Sequence, residues 1–456
     1  MALDSTFLDD LAAIVGPSHL RRSNELALLD PGVDEENLGA GLAVRPGCTR
    51  EVSEILALSD RAGVSVVTHG GRTGLAKGAT SSPGQIVLMT ERFGEIDIDA
   101  QERVAVVGAG VTLQALQEAC AEHGLSPGID IAARGSATIG GMVSTNAGGM
   151  EAFRHGMMRQ RVLGIEAVLA DGSVLSDLAK VTKNNEGYDL ARLMCGAEGT
   201  LGVVTRVSLR LVAADPAAQT VLTGASDATA SLRTMRALQD AGILLRAEIM
   251  WAPYARIVAH HCSLTDVLGF CDAPVYTIFE TAGDQDGLIA VLEPFLEDGT
   301  ISDALLAQSD AHSQDIWRIR EDSFAANREI AHPLWFDISL TVTALDPYVA
   351  KLTSRIEDID PGLSFYALGH LADGNLHLTI GSAEECPPDI ARAISLAVED
   401  GIKDLGGSIS AEHGIGAAKL AALSRNASPA KLAAMRRLKA AFDPNDILNP
   451  GKVIPT

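Results

Sequence analysis

The chain is short of positive charge, of long apolar runs and of paired cysteines. Its 36 Lys and Arg stand against 59 Asp and Glu in 456 residues, a formal net charge of -23. Such a surface repels phosphate backbones and anionic membranes, which excludes nucleic acid as a partner. No uninterrupted apolar run approaches the ~18 residues of a membrane-spanning helix. The N-terminal stretch carries Asp4, Asp9 and Asp10 where a secretory signal would carry Lys or Arg. These features predict a cytoplasmic protein. Cys48, Cys120, Cys195, Cys262, Cys271 and Cys386 form no C-x-x-C pair, so reduced, mostly buried thiols are expected.

Familiar catalytic signatures are missing too. Gly108 and Gly110 follow a predicted strand, but Leu113 holds the third glycine position of the dinucleotide fingerprint, and no G-x-x-x-x-G-K-[ST] run occurs. The G-x-S-x-G string from Gly124 to Gly128 follows a helix stop and has Pro127 after Ser126. A nucleophile elbow needs strand, turn and helix, so a serine hydrolase is discounted.

What is present begins with length: 456 residues exceed what one core usually organises, so two or more domains are expected. The first half alternates helix and strand. Thr49 is expected to cap a helix to about Ala62 with Val52, Ile55, Leu56 and Ser59 on one face, and Thr112 to cap the next. From about residue 216 the Gly-rich turns disappear and the pattern predicts an α+β domain with an antiparallel sheet. The expected division is a helical segment over 1–35, a cofactor domain over 36–215, a substrate domain over 216–389 and a helical segment over 390–456 that completes the cofactor site.

Three stretches concentrate glycine: HGGRTGLAKG (69–78), RGSATIGGMVSTNAGG (134–149) and CGAEGTLG (195–202). Glycine lets consecutive amides approach a ligand and cradle phosphate, so a dinucleotide is the natural guest. Further along, SFYALGHLADGNLHLTI contains Asp373-Gly374, a preferred two-residue hairpin turn. Folding there would set His370 directly opposite His377 on one face, a geometry that lets two imidazoles hold one metal ion. Glu412 and His413 in SISAEHGIG offer a third ligand, and which of the two ligates is open from spacing alone.

HGGRTGL, GSATIGGMVSTNAGG, KNNEGYDL, GAEGTLGVVT, WRIRE, GHLADGNLHL, AEHGIG and NPGK, in this order, resemble the FAD-linked D-2-hydroxy acid dehydrogenases of the vanillyl-alcohol oxidase superfamily over almost the whole chain. The resemblance implies an α+β architecture: a bipartite PCMH-type FAD domain, an α+β substrate domain and a helical C-terminal segment. It places the FAD pyrophosphate on Gly70, Gly71, Arg72, Thr73, Gly74 and Leu75. The rest of the cofactor would lie along Gly135, Ser136, Thr138, Gly141, Ser144, Thr145, Asn146 and Gly148, then Glu198, Gly199, Gly202 and Val203, with Asn375 and Asn449 as further contacts. Arg72 stands where covalent members carry the tethering histidine, so FAD is expected to be non-covalent.

The same resemblance assigns Glu412, with His370 and His377, to a divalent zinc or manganese ion. It gives His413 the substrate proton and Arg320 the substrate carboxylate. It implies oxidation of a D-2-hydroxy acid, an electron acceptor such as an electron-transfer flavoprotein, a cytochrome or a quinone, and allows a homodimer. Relatives acting on 2-hydroxyglutarate carry Lys where this chain has Trp335 and Thr where it has Phe324. D-lactate or a longer apolar 2-hydroxy acid is therefore favoured over D-2-hydroxyglutarate or a glycolate oxidase-type activity. A non-catalytic flavin-binding subunit would have no use for His370, His377, Glu412, His413 and Arg320 together.

Overall fold

The computed structural model describes residues 3–215, 217–330 and 332–455, without the side chains of Phe324 and Asn327. The chain divides into two compact units, one of Met1–Ala214 with Glu412–Thr456 and one of Asp215–Ala411. Among the described residues no helix is long and apolar enough to cross a membrane.

In the first unit a four-stranded sheet runs in the order Leu20–Arg22, Leu42–Val44, Ile86–Met89, Val66–His69. The helix Thr49–Ala62 buries Val52, Ile55, Leu56 and Ser59, the face expected from their spacing, and stops at Gly63 with φ +64°. Thr49 is not its cap. The hydroxyl donates to Glu166 Oε1 at 2.5 Å instead, because Thr49 already lies inside the helix and Cys48 precedes it with extended backbone. Thr112 does cap its helix, accepting from the Ala115 amide at 3.2 Å. The strands Ile96–Asp99, Val104–Gly108, Val203–Arg210, Val162–Val168 and Val174–Asp177 form a five-stranded antiparallel sheet. The end of the chain returns to the first sheet: the Val66 amide donates to Ile447 O at 2.7 Å and the Asn449 amide to Val66 O at 2.8 Å.

The second unit is built on a seven-stranded sheet in the order Ile301–Leu306, Ala218–Ala225, Val275–Ala282, Leu244–Trp251, Ser364–His370, Asn375–Gly381, Leu334–Ser339. Every pairing is antiparallel. The helix Pro388–Glu399 belongs here, and the chain returns to the first unit at Glu412, whereas the sequence places the return near residue 390. Its buried Ile394 and Val398 explain this: Tyr348, on the helix Leu345–Ile359, donates its hydroxyl to Val398 O at 2.6 Å, so the two helices are one layer.

Candidate functional site

The glycine loops of the first unit are packed on one another. A Cβ on Gly71 would stand 1.8 Å from Ser136 O, and one on Gly70 2.2 Å from Thr138 Oγ1, so only glycine lets loop 70–75 lie against 136–141. Arg72 turns that loop with φ +54° and anchors it through Nε to Asp30 O at 3.1 Å. Gly74 faces open space and Leu75 is exposed. Thr138 caps the helix Ile139–Thr145, while Ser144 and Thr145 hydrogen-bond back to Gly140 O and Gly141 O. Asn146 closes the helix with φ +54° and accepts from the Arg159 amide at 2.9 Å. These side chains shape the loop as well as lining it.

Gly199, which needs φ +72°, lies beside Thr68 and Asn449, and Thr68 Oγ1 and Asn449 Oδ1 are buried with no hydrogen-bond partner among the described residues, as is His69 Nδ1 on the strand of Thr68. Native proteins rarely leave such atoms unsatisfied unless a ligand meets them. His69 Nε2 bonds to Ala79 O at 2.8 Å. Burial, partly opposed by that carbonyl, pushes His69 down to about 4, so its ring is neutral at physiological pH. Between pH 6.5 and about 4 the folded chain therefore binds fewer protons than the unfolded one, and stability falls as pH falls. At pH 4 this residue removes about 3 kcal/mol. Urea unfolding followed against pH should show a shallower acid slope in His69→Gln; equal slopes would contradict the assignment.

Glu198, at φ +49°, accepts from the Ile415 and Gly416 amides at 2.7 and 2.9 Å. Burial raises its carboxyl above the ordinary range, against the pull of those amides and of Lys419 and Lys452. Its carboxylate thus holds the loop just beyond His413, and its carbonyl accepts from Asn449 Nδ2 at 2.8 Å. Glu412, at the other side of His413, accepts from the Gly149 amide. Gly135 lies beside Gln114, Gly148 beside Met157 and Glu412, and Gly202 beside Val168 O and Met194. Val203 opens the strand Val203–Arg210.

In the second unit, His370 and His377 share one sheet face, yet the hairpin is not the predicted one. Leu368 opposes His377 and His370 opposes Asn375, a register two residues away from direct pairing of the histidines. The turn takes four residues because the Gly374 amide reaches back to His370 O at 3.1 Å and Gly374 itself adopts φ +75°. A slip of two preserves the face. The imidazoles remain diagonal neighbours, with ring centroids 5.3 Å apart and planes at 88°.

Two fully buried carboxylates that sequence reasoning missed organise this face. Glu248 Oε1 lies 2.6 Å from His370 Nδ1, and Oε2 accepts from Arg320 Nε at 2.6 Å. Burial alone would raise the Glu248 carboxyl, but the His370 and Arg320 charges outweigh it and hold it below the usual range. Asp337 accepts from Asn375 Nδ2 at 2.9 Å and from the Ala411 amide at 3.1 Å, and stands 3.7 Å from His377 Nδ1. Asn375 Oδ1 is buried without a partner among the described residues. Trp335 lies two residues before Asp337 on the same face, opposite Thr379 and 48% exposed; the side chain of Phe324 lies outside the described residues. The available signal was a charge in the middle of each apolar strand, LLRAEIMW and LWFDIS, since a buried charge needs partners.

Residues 40–177 match the family described as FAD binding domain, and residues 215–453 match FAD linked oxidases, C-terminal domain. The chain is 34% identical over 421 residues to the D-2-hydroxyglutarate dehydrogenase of Xanthomonas citri pv. viticola, covering 90% of this chain and 88% of that one. It is 36% identical over 463 residues to the mitochondrial D-2-hydroxyglutarate dehydrogenase of Bos taurus, covering 98% and 84%. Among solved structures, p-cresol methylhydroxylase with substrate bound aligns with TM-score 0.78 and 16% identity over 99% of this chain and 96% of that one. The 4-ethylphenol oxidase of Gulosibacter chungangensis aligns with TM-score 0.74 and 17% identity over 99% and 97%. The fold is the two-domain PCMH type shared by these solved structures.

Proposed function

Because the chain belongs to the FAD-linked oxidase family and is an FAD-dependent oxidoreductase, we propose that it oxidises a D-2-hydroxy acid to the corresponding 2-oxo acid. The observation that carries this reading is Glu248, which ties a guanidinium and an imidazole to one carboxylate at 2.6 Å each. A cation suited to a carboxylate thereby sits beside a nitrogen suited to a metal.

FAD, when bound, supplies the acceptor for the hydride of the α-carbon. Thr68, His69 and Asn449, with the amides of 70–75, would hold it, and Arg72 offers no histidyl link, so it is held non-covalently. His370, His377 and Glu412 would hold a divalent ion, which would supply Lewis acidity toward the substrate hydroxyl. Two imidazoles and one carboxylate suit zinc or manganese and leave positions open for substrate. His413, in its neutral form, accepts the hydroxyl proton. Arg320 orients the substrate through its carboxylate, a task for which the planar fork is better suited than Lys.

The exposed Trp335 beside Asp337 supports an apolar pocket wall. Each substrate methylene should gain up to ~0.8 kcal/mol there until space is filled, whereas a terminal carboxylate would be desolvated against aromatic surface. Apolar D-2-hydroxy acids are expected to exceed D-2-hydroxyglutarate in kcat/KM by about 100-fold, equivalent to ~2.7 kcal/mol. Trp335→Lys should narrow the gap. The names of the relatives favour a second reading, D-2-hydroxyglutarate itself. Steady-state kcat/KM across a panel of both classes decides; equal or higher efficiency with the diacid would establish the second reading.

A further inference from the structure

Glu248 is fully buried in the strand Leu244–Trp251, directly opposite His370 on the next strand. A buried carboxylate is poor value for stability alone, because an apolar residue of similar volume often serves as well or better. Here both oxygens are assigned, one to Arg320 Nε and one to His370 Nδ1, each at 2.6 Å. Arg320 is fixed from two further directions. Tyr254 donates its hydroxyl to Arg320 O at 3.0 Å, and one helical turn earlier Trp317 Nε1 donates to Glu280 Oε1 at 2.8 Å. The helix Asp310–Glu321 is thus docked on the sheet by two carboxylates.

We infer that Glu248 is the positioning residue that sets the spacing between the metal and the substrate-carboxylate clamp. This rests on the reading of His370 as a metal ligand. Accepting from Nδ1 fixes the tautomer of His370 and leaves Nε2 as the ligating nitrogen, the usual service of a carboxylate behind a metal-bound histidine. Accepting from Nε fixes the orientation of the Arg320 guanidinium, the group that the proposed function assigns to the substrate carboxylate. A 2-hydroxy acid presents a hydroxyl and a carboxylate on adjacent carbons, so ion and clamp must keep one separation. A single anion bonded to both imposes it.

The test uses the full-length, FAD-loaded protein. In Glu248→Gln the amide offers one acceptor oxygen and cannot serve Arg320 and His370 Nδ1–H together. The zinc or manganese dissociation constant, measured by equilibrium dialysis, should rise ~10–100-fold. KM for the D-2-hydroxy acid should rise in metal-saturated enzyme while the flavin spectrum stays unchanged. Glu248→Asp, which keeps the charge on a shorter stem, should recover part of both. Glu280→Gln, which removes only the other anchor of the helix, should leave metal affinity as it is. Wild-type metal affinity in Glu248→Gln would overturn the inference while leaving the metal reading intact. Failure of the wild-type protein to bind either ion would instead overturn the metal reading on which it rests. If Glu248→Gln loses its flavin, Glu248→Asp decides: unchanged metal affinity with flavin bound overturns the inference.

Discussion

Replacing His413 by Ala should slow reduction of the flavin by a D-2-hydroxy acid about 100-fold or more, the usual worth of a positioned general base. His413 sits between two fastened neighbours. Glu412 is bonded to the Gly149 amide, and the amides of Ile415 and Gly416 are held by Glu198. The loop backbone is therefore fixed by groups other than the imidazole, and truncating His413 should leave FAD and metal content unchanged. Rapid-mixing measurement of flavin absorbance under anaerobic conditions isolates the proton-coupled step from reoxidation. A wild-type rate of reduction in His413→Ala would remove the residue from that role.

Removing the metal should be as damaging by a different route. Dialysis against a chelator is expected to lower turnover at least about 100-fold, or ~2.7 kcal/mol, since Lewis-acid stabilisation of developing charge is worth several kcal/mol. FAD should stay bound, because loops 69–75, 135–148 and 198–203 contain none of the proposed ligands. His370 and His377 belong to the second unit and the glycine loops to the first. Zinc or manganese should restore activity. The check is metal analysis, flavin absorbance and turnover on one sample; full turnover after verified metal removal would contradict the metal mechanism.

The parts of the fold that sequence makes legible are those set by local chemistry. The buried face of Thr49–Ala62 follows from 3.6-residue periodicity, and the Thr112 cap and the glycine loops follow from short-range steric need. The hairpin illustrates the boundary. Period two is enough to put His370 and His377 on one face, but the turn length is not legible, since it depends on Gly374 N bonding to His370 O and on Leu340 N bonding to Gly374 O, a contact from the residue that follows the strand Leu334–Ser339, 34 residues earlier in the chain. Glu248 and Asp337 are visible as charges within apolar strands, but their partners are not, for the same reason. Glu248 lies 122 residues from His370 and 72 from Arg320, and only the strand order brings them together. The sequence places Glu198 among the cofactor contacts but does not show that its carboxylate accepts from the Ile415 and Gly416 amides; a Glu in a glycine loop carries no mark of a partner more than 200 residues away.

The central claim, that this flavoprotein takes hydride from a D-2-hydroxy acid, is tested most directly by anaerobic titration of the FAD-loaded, metal-replete protein with paired D and L enantiomers. The D enantiomer should bleach the oxidised-flavin absorbance and leave one 2-oxo acid per flavin reduced, while the L enantiomer leaves the spectrum unchanged. Flavin that stays oxidised with every D-2-hydroxy acid offered, lactate and 2-hydroxyglutarate included, would contradict it.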